Sequence, residues 1–389
     1  MSKKERIFIS GVHYETGRHV EIEISDGFIG EIRCSAKQIN KENEAYIAPG
    51  LIDSQTNGYL GINFQDEIFS VERMRYAAKA IWKDGVTTFV PTLVTESREN
   101  LLRNFRILAM AFEDKQLVGS VPGFHLEGPY LSPVKGFYGC HNSKYLRNPS
   151  IDEFNELQNA AKGHIIIVTV APELEGAIEF IKYCSENGVV VSIGHTNATT
   201  EQIYRAVDNG ARMSTHLGNG CANMINRHRN PLWPQLANDS LTPSIIADGF
   251  HLLPEEIKTF YKAKGENNIT LTSDVTHLAG MPPGKYLYMG SEVVMNDEGR
   301  IFNHSLNCLA GASSPLKKGI ETMMRFAGCT LGQAANLAGK NVARLLGLSD
   351  RGIIEQGKRA DIILFTIDQG KVIIKETWVA GRRVYPDRQ

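Results

Sequence analysis

Hydrophobic and polar residues follow two different patterns along this chain. Near the N-terminus they alternate at every second position, as in "HVEIEISDGFIGEIR", and "ADIILFTID" and "VIIKETWVAG" have a similar texture near the C-terminus. Alternation with a period of two is typical of half-buried strands, and the pair Asp26-Gly27 is a hairpin signal between two of them. We therefore predict a small β-sandwich domain that combines residues 1–48 with residues 350–389.

Residues 49–349 have a different rhythm, in which an apolar strand is followed by a loop and an amphipathic helix. Helical segments such as "SVERMRYAAKAIWKDG" and "EQIYRAVDNG" end in glycine, the expected C-terminal cap. Eight apolar segments read as buried parallel strands: "LIDSQTNG", "GVTTFVPTLV", "VPGFHLEGP", "HIIIVTVAPE", "VVVSIGH", "ARMSTHL", "SIIADGFH" and "NITLTSDVT". About eight such strand–helix units predict an α/β fold of the (β/α)8 TIM-barrel type rather than an open sheet.

Charge and cysteine usage narrow the class of protein. Lysine and arginine number 42 against 43 aspartates and glutamates, so the chain lacks the positive excess of nucleic-acid or membrane-surface binders. The six cysteines form no CxxC pair, which favours a reducing compartment over a disulfide framework. The first residues, "MSKKERIFIS", lack the apolar region of a signal peptide. We expect a cytoplasmic protein without nucleic-acid or membrane partners.

Polar residues follow the predicted barrel strands at their carboxyl ends, where barrel enzymes place their chemistry. Glu127, His195 and His216 supply one carboxylate and two imidazoles from separate strands, a set that leaves an open position on a catalytic zinc ion. Each residue alone is equally consistent with an ordinary polar residue near the surface, but three at equivalent positions favour a metal site. Asp274, after the last strand, would exchange protons with a metal-activated water, although aspartate there is also a common cap.

Several motifs carry a resemblance to a known family. "APGLIDSQTNG", "HLEGPYL", "GHTNAT", "THLGNG", "ADGFH" and "TSDVTHLAG" occur in this order. The chain thereby resembles the amidohydrolase superfamily and, within it, the N-acetylglucosamine-6-phosphate deacetylases, over nearly its whole length. The resemblance implies hydrolysis of the acetamide of a small amino-sugar substrate in a homodimer. It also implies one divalent metal ion per subunit, Zn2+ first, with Fe2+, Co2+ or Mn2+ as alternatives.

The resemblance also assigns the metal and catalytic residues. Glu127, His195 and His216 would hold the metal, and Asp274 would act as base and then as acid. His141, in "GFYGCHNSKYLR", would stabilise the oxyanion. Many superfamily members carry His-x-His after the first strand, but this chain has Gln55 and Asn57 there. Amides are poor zinc ligands beside imidazole, so this second metal position would be vestigial.

The resemblance also implies which residues bind the substrate. Cys140 would touch the sugar and its acyl group, and His251 would hydrogen-bond the sugar. The backbone of Asn219 and Gly220 would receive the phosphate or neighbouring hydroxyls, and Leu309 would lie on a loop that closes over the sugar. Arg229 would reach the phosphate from a partner subunit. The segment "CANMINRHRNPLW" is longer than in relatives, Trp233 has no counterpart there, and choosing Arg229 over Arg227 rests on the following "NP".

Other functions stay open on the sequence. An unphosphorylated N-acyl sugar or the galacto isomer would use the same chemistry, and so would a mononuclear N-acyl-amino-acid deacylase. A binuclear ring-opening enzyme is disfavoured because the fourth strand ends in Glu173 rather than in a lysine that could bridge two metals. A catalytically silent barrel would be expected to lose Asp274 or one of the three metal ligands, and this chain keeps all four.

Overall fold

Parallel strands form the centre of the molecule in the computed structural model, which describes residues 6–34 and 45–387. Eight of them lie side by side in chain order. Numbered along the chain, they are β5 (Leu51–Thr56), β8 (Val86–Val94), β9 (Phe124–Glu127), β10 (Ile165–Val170), β11 (Val190–Ile193), β12 (Ala211–Ser214), β13 (Thr242–Ile245) and β14 (Thr270–Leu271). A parallel bridge between Thr56 and Val275 joins the first strand to the segment after the last. The predicted (β/α)8 barrel is therefore confirmed.

Helices cover the outside of the barrel and begin at the capping residues that the sequence offers. Ser70, Ser97 and Ser150 cap the first three helices, and Thr199 forms a capping box with Gln202 at the start of the fifth. The helices are α1 (Val71–Lys83), α2 (Arg98–Phe112), α3 (Ile151–Ala160), α4 (Ala177–Glu186), α5 (Thr200–Asp208), α6 (Leu232–Ala237), α7 (Pro254–Lys264), α8 (Lys317–Thr322), α9 (Leu331–Leu337) and α10 (Lys340–Leu345). Within the described residues, no helix is both long and apolar enough to cross a membrane.

The interior of the barrel is partly polar, and its hydroxyl groups are bonded to one another. Thr215 Oγ1 lies 2.7 Å from Thr169 Oγ1 and 2.6 Å from Ser192 Oγ, and His125 Nε2 lies 2.8 Å from Thr169 Oγ1. The buried Asp53 carboxylate also takes part, since its Oδ1 accepts hydrogen bonds from Ser273 N and Thr272 Oγ1, both at 3.0 Å. These bonds hold the first strand to the segment that carries Asp274.

A second, seven-stranded sheet combines the two ends of the chain, as predicted. Its strands are β1 (Arg6–His13), β2 (His19–Ser25), β3 (Phe28–Cys34), β4 (Tyr46–Pro49), β19 (Ile362–Asp368), β20 (Lys371–Val379) and β21 (Arg382–Tyr385). All pairings are antiparallel except β1 with β4, and one face encloses a core that includes Ile22, Ile47 and Trp378. Asp26 and Gly27 have φ of 53° and 86° and form the predicted hairpin turn. Residues 1–5, 35–44 and 388–389 of the predicted small domain lie outside the described residues.

A four-stranded antiparallel sheet, which the sequence patterns did not predict, lies between the last barrel strand and α8. It consists of β15 (Gly284–Tyr288), β16 (Ser291–Met295), β17 (Ile301–Asn303) and β18 (Cys308–Leu309). Its own small core contains Val293, Met295 and Ile301. Two further short strands, β6 (Gly58–Tyr59) and β7 (Ile62–Asn63), follow β5. Both insertions follow barrel strands and therefore lie at the end of the barrel where the predicted site residues cluster.

Candidate active site

A cavity of about 400 Å³ opens at the carboxyl ends of the barrel strands. Most of the residues that the sequence singled out line this one cavity: Asn57, Glu127, Cys140, His141, His195, His216, Asn219, Gly220, His251, Asp274 and Leu309. Gln55 is fully buried behind Asp274, to which it is hydrogen-bonded. Arg229 is exposed and is not among the lining residues. The barrel thus brings together residues from the carboxyl ends of six strands and the segments that follow them, and leaves Arg229 outside.

Three side chains converge on one point of this cavity. His216 Nε2 lies 2.9 Å from Glu127 Oε1, and His195 Nε2 lies 3.5 Å from that oxygen and 3.2 Å from His216 Nε2. His195 Nδ1 lies 2.9 Å from the carbonyl oxygen of Phe137, to which it donates, so Nε2 keeps a lone pair directed at the cluster. Two imidazole nitrogens and a carboxylate oxygen within this distance fit a divalent cation of the zinc type.

The backbone at these positions is held in an unusual conformation. His195, His216 and Asp274 all have positive φ, at 50°, 28° and 50°, which non-glycine residues rarely adopt. His195 and His216 lie two residues after the end of a barrel strand and Asp274 lies three residues after one, where the turn directs the side chain inward over the barrel mouth. Strained backbone that recurs at three converging side chains is a pattern typical of functional sites.

The charges in the cluster favour a bound cation. Burial alone would raise the pKa of Glu127, but hydrogen bonds from His195 and His216 lower it well below the ordinary value. Burial alone would lower the pKa of His216, but the hydrogen bond and charge of Glu127 raise it. The carboxylate is therefore ionised and faces two imidazoles. A divalent cation bound between these three groups would compensate its charge.

His141 belongs to the same cluster. One ring nitrogen of His141 lies within 4.8 Å of potential ligand atoms of both Glu127 and His195. Its Nδ1 lies 2.9 Å from Thr95 Oγ1. Burial and the charge of His195 lower the pKa of His141 to about 3, so the ring is neutral. Its remaining nitrogen can act either as a hydrogen-bond donor to substrate or as a further metal ligand, and the sequence indicated only the first role.

Asp274 is held by the two amides of the first strand. Its Oδ1 accepts hydrogen bonds from Gln55 Nε2 at 2.9 Å and Asn57 Nδ2 at 2.7 Å. The sequence indicated these amides only as remnants of a second metal position, and missed this role. Burial and the nearby charge of Glu127 raise the pKa of Asp274 to about 7. No described residue hydrogen-bonds the second carboxylate oxygen, which leaves that oxygen for a ligand in the cavity.

His251 is oriented by a neighbouring carboxylate. Its Nδ1 lies 2.8 Å from Asp248 Oδ2, while Asp248 Oδ1 accepts from the backbone nitrogens of Phe250 and His251 at 2.8 and 2.9 Å. Burial raises the pKa of Asp248, but the hydrogen bond and charge of His251 outweigh this and lower it. The second ring nitrogen of His251 is thereby left for the cavity that this residue lines.

The glycine-rich segment after His216 packs directly on a cluster residue. Gly220 has φ of 59°, and a Cβ built there would lie 2.8 Å from His195 Nδ1. A side chain at this position would therefore press on the His195 ring. Asn219 also lines the cavity, and its Nδ2 is buried without a hydrogen-bond partner among the described residues. Another lining residue, Cys140, has its Sγ 3.6 Å from Met289 Sδ.

Several lining residues were not found from the sequence. Tyr288, Met289 and Cys308 come from the unpredicted four-stranded sheet, and Glu256 comes from the first turn of α7. Tyr288 and Met289 belong to no motif, so no sequence signal placed them at the site, whereas Cys308 stands beside Leu309, which the resemblance had placed there. Among the described residues that line the cavity there is no lysine or arginine.

Known proteins resemble this chain over most of its length. The model of the amidohydrolase family matches residues 46–384. An N-acetylglucosamine-6-phosphate deacetylase of Bacillus subtilis (strain 168) is 30% identical over 357 residues, covering 89% of both chains. An N-acetylgalactosamine-6-phosphate deacetylase of Escherichia coli O157:H7 is 28% identical over 363 residues, covering 93% of this chain and 94% of that one.

A solved structure agrees with these matches. A Mycobacterium smegmatis N-acetyl-D-glucosamine-6-phosphate deacetylase variant, in complex with N-acetyl-D-glucosamine-6-phosphate, superimposes with a TM-score of 0.84 at 27% identity. The superposition covers 94% of this chain and 95% of that one. The resemblance inferred from the motifs is confirmed by these comparisons.

Proposed function

Because the chain belongs to the amidohydrolase family, we propose that it hydrolyses the acetamide of N-acetylglucosamine 6-phosphate to glucosamine 6-phosphate and acetate. The observation that carries this proposal is the convergence of Glu127, His195 and His216 beside Asp274 in one cavity. The relatives named above, which act on N-acetyl amino-sugar phosphates, support the substrate class. We expect the reaction to take place in the cytoplasm, as part of amino-sugar breakdown.

Each part of the reaction has a group of this chain to perform it. Glu127, His195 and His216 would hold one divalent ion, Zn2+ first, which supplies Lewis acidity and an activated water when bound. Asp274 takes the proton of the attacking water on its free oxygen and passes it to the departing sugar amine. Meanwhile Gln55 and Asn57 hold its other oxygen in place. His141 donates a hydrogen bond to the acyl oxygen, where negative charge develops.

The remaining predicted residues would position the sugar. We propose that His251 bonds a sugar hydroxyl, that Cys140 and Leu309 contact the acyl side, and that the backbone of Asn219 and Gly220 faces the 6-substituent. Arg229 itself does not line the cavity of its own subunit, although Ile225 and Leu232 of the same segment do. A homodimer in which the partner's Arg229 completes the phosphate pocket accounts for that position.

A second candidate substrate is the unphosphorylated sugar. A phosphate dianion normally requires cationic side chains, and among the described residues the cavity has no lysine or arginine in its lining. It has instead the Glu256 carboxylate, whose Oε2 accepts from Leu253 N at 2.7 Å and thus already satisfies the start of α7. The neutral 6-hydroxyl of the unphosphorylated sugar would be tolerated beside Glu256 without the partner's arginine.

Substrate preference and one surface arginine separate the two candidates. We expect acetate release from N-acetylglucosamine 6-phosphate to exceed release from N-acetylglucosamine and from the galacto isomer, measured as kcat/KM with Zn2+ supplied. Arg229→Ala should lower kcat/KM about 10- to 100-fold for the phosphorylated sugar only, because one charge-assisted contact is lost. Arg227→Ala, two residues away, tests the alternative assignment and should leave both values of kcat/KM unchanged. Equal turnover of the free sugar, unaffected by Arg229→Ala, would move the function to the unphosphorylated substrate.

The pH dependence of activity should report Asp274. A general base must be ionised, so kcat/KM should fall with decreasing pH through the apparent pKa of Asp274, which burial raises to about 7. Since a bound cation favours the carboxylate, we expect the acid limb between about pH 5 and 7. Asn57→Ala removes a hydrogen bond that lowers this pKa, and should move the limb to higher pH. Asn209→Ala, at the end of α5, should leave it in place. A flat profile, or a shift to lower pH with Asn57→Ala, would contradict the role.

A further inference from the structure

The four-stranded sheet contributes one polar side chain to the wall of the cavity, and neither the motifs nor the comparisons account for it. Tyr288 is the last residue of β15, lines the cavity and is only 6% exposed. Its hydroxyl lies 3.8 Å from the point where a Cβ of Gly311, another lining residue, would stand. Its ring packs near His277, at 5.6 Å between ring centroids.

The Tyr288 hydroxyl has no protein partner. None of the described residues forms a hydrogen bond with it, although other tyrosines such as Tyr14, Tyr59 and Tyr130 all bond side-chain oxygens. Polar groups with little access to solvent are nearly always satisfied by protein, water or ligand. At the wall of an open substrate cavity, the group that satisfies Tyr288 comes from what fills the cavity.

The surroundings of Tyr288 locate it at the reacting end of the cavity. The point where a Cβ of Gly311 would stand, 3.8 Å from the Tyr288 hydroxyl, is 3.4 Å from the carbonyl oxygen of Asp274. Cys140, the proposed acyl contact, has its Sγ 3.6 Å from Sδ of Met289, the residue after Tyr288. Burial and the nearby charges of Cys140, Asp274 and Glu127 raise the pKa of Tyr288 well above its ordinary value, so the hydroxyl is protonated and can donate.

We propose that the Tyr288 hydroxyl donates a hydrogen bond to the N-acyl group of the substrate, and that this contact helps to set which acyl groups the enzyme accepts. The inference rests on the proposed deacetylation and adds a substrate-binding residue to it. The apolar neighbours on the same wall, Met289 and Leu309, would then enclose the carbon side of the acyl group, while Tyr288 contacts its polar side.

Tyr288→Phe tests this proposal, because it removes one oxygen and keeps the ring. We expect kcat/KM for the N-acetyl sugar to fall about tenfold. The factor should be the same with and without the 6-phosphate, since the contact is to the acyl end. The ratio of N-propionyl to N-acetyl turnover should rise, because the variant has both more room and one polar group fewer. Metal content should be unchanged.

Tyr286→Phe is the matched control. Tyr286 lies two residues earlier in β15, and its hydroxyl already donates to the carbonyl oxygen of Pro282 at 2.5 Å. Its replacement should leave the acyl ratio unchanged. An unchanged acyl ratio in Tyr288→Phe would overturn the proposal, and so would a loss confined to the phosphorylated sugar. If the unmodified enzyme releases acetate from neither sugar, the proposed function fails first, and this inference fails with it.

Discussion

Asp274→Asn is expected to abolish turnover while leaving the fold and the bound metal intact. Asparagine has nearly the same shape, and its side-chain oxygen can still accept the bonds from Gln55 Nε2 and Asn57 Nδ2. It cannot take a proton from water or return one to the leaving amine. General acid–base catalysis contributes about 10²- to 10⁴-fold to a rate, and here one group would serve both steps. We therefore expect kcat to fall by about 10³-fold or more.

Three measurements test this prediction. Steady-state kcat, metal content after dialysis and the thermal unfolding midpoint should be compared with those of Asp239→Asn, a surface aspartate on the segment that leads to β13. The control should retain full turnover. An Asp274→Asn enzyme with kcat within tenfold of the unmodified enzyme would contradict the assignment of Asp274 as base. Loss of metal from the variant would instead make Asp274 part of the metal site.

The barrel and its capping residues were predictable because both depend on short stretches of sequence. The run Val189–Ile193 is apolar and β-branched at every position except Ser192, so it reads as a buried strand. Thr199 with Gln202 is a local signal for the following helix. His195 between them had to lie at the mouth of the barrel. The same reasoning, applied strand by strand, located Glu127, His216 and Asp274 as well.

Contacts between distant parts of the chain were not predictable in this way. Gln55 and Asn57 meet Asp274 across more than 200 residues, and only closure of the barrel between its first and last strands brings them together. Sequence chemistry alone identified them as poor metal ligands. It could not identify the carboxylate that they hold.

The four-stranded sheet shows the same limit for a whole element. Its strands have two to five residues, too few for a periodic pattern to stand out, and Tyr288 belongs to no motif. Its place at the cavity follows from how that sheet packs over the barrel mouth. The role of Arg229 stays a prediction, because the resemblance placed it at the phosphate of a partner subunit and within one subunit it is exposed and does not line the cavity.

His216→Asn is expected to remove the metal, because His216 Nε2 lies 2.9 Å from Glu127 Oε1 at the centre of the cluster. Replacing residues that merely support a metal ligand already costs about 10- to 100-fold in affinity, so loss of a direct ligand should cost more. Metal content after dialysis should fall from about one ion per subunit to background, and acetate release should fall with it. His228→Asn, an exposed histidine outside the cavity lining, should change neither quantity.

His141→Asn separates the two roles that the geometry allows this residue. A ring nitrogen of His141 lies within 4.8 Å of potential ligand atoms of Glu127 and His195, so distance alone admits it as a ligand. If it is a donor to the acyl oxygen, the variant should keep its metal and lose about 10²- to 10³-fold in kcat, as enzymes do when one oxyanion donor is removed. If it is a ligand, metal content should fall as in His216→Asn. We expect the first result, because Glu127, His195 and His216 already supply the three protein ligands of a catalytic site with an open position.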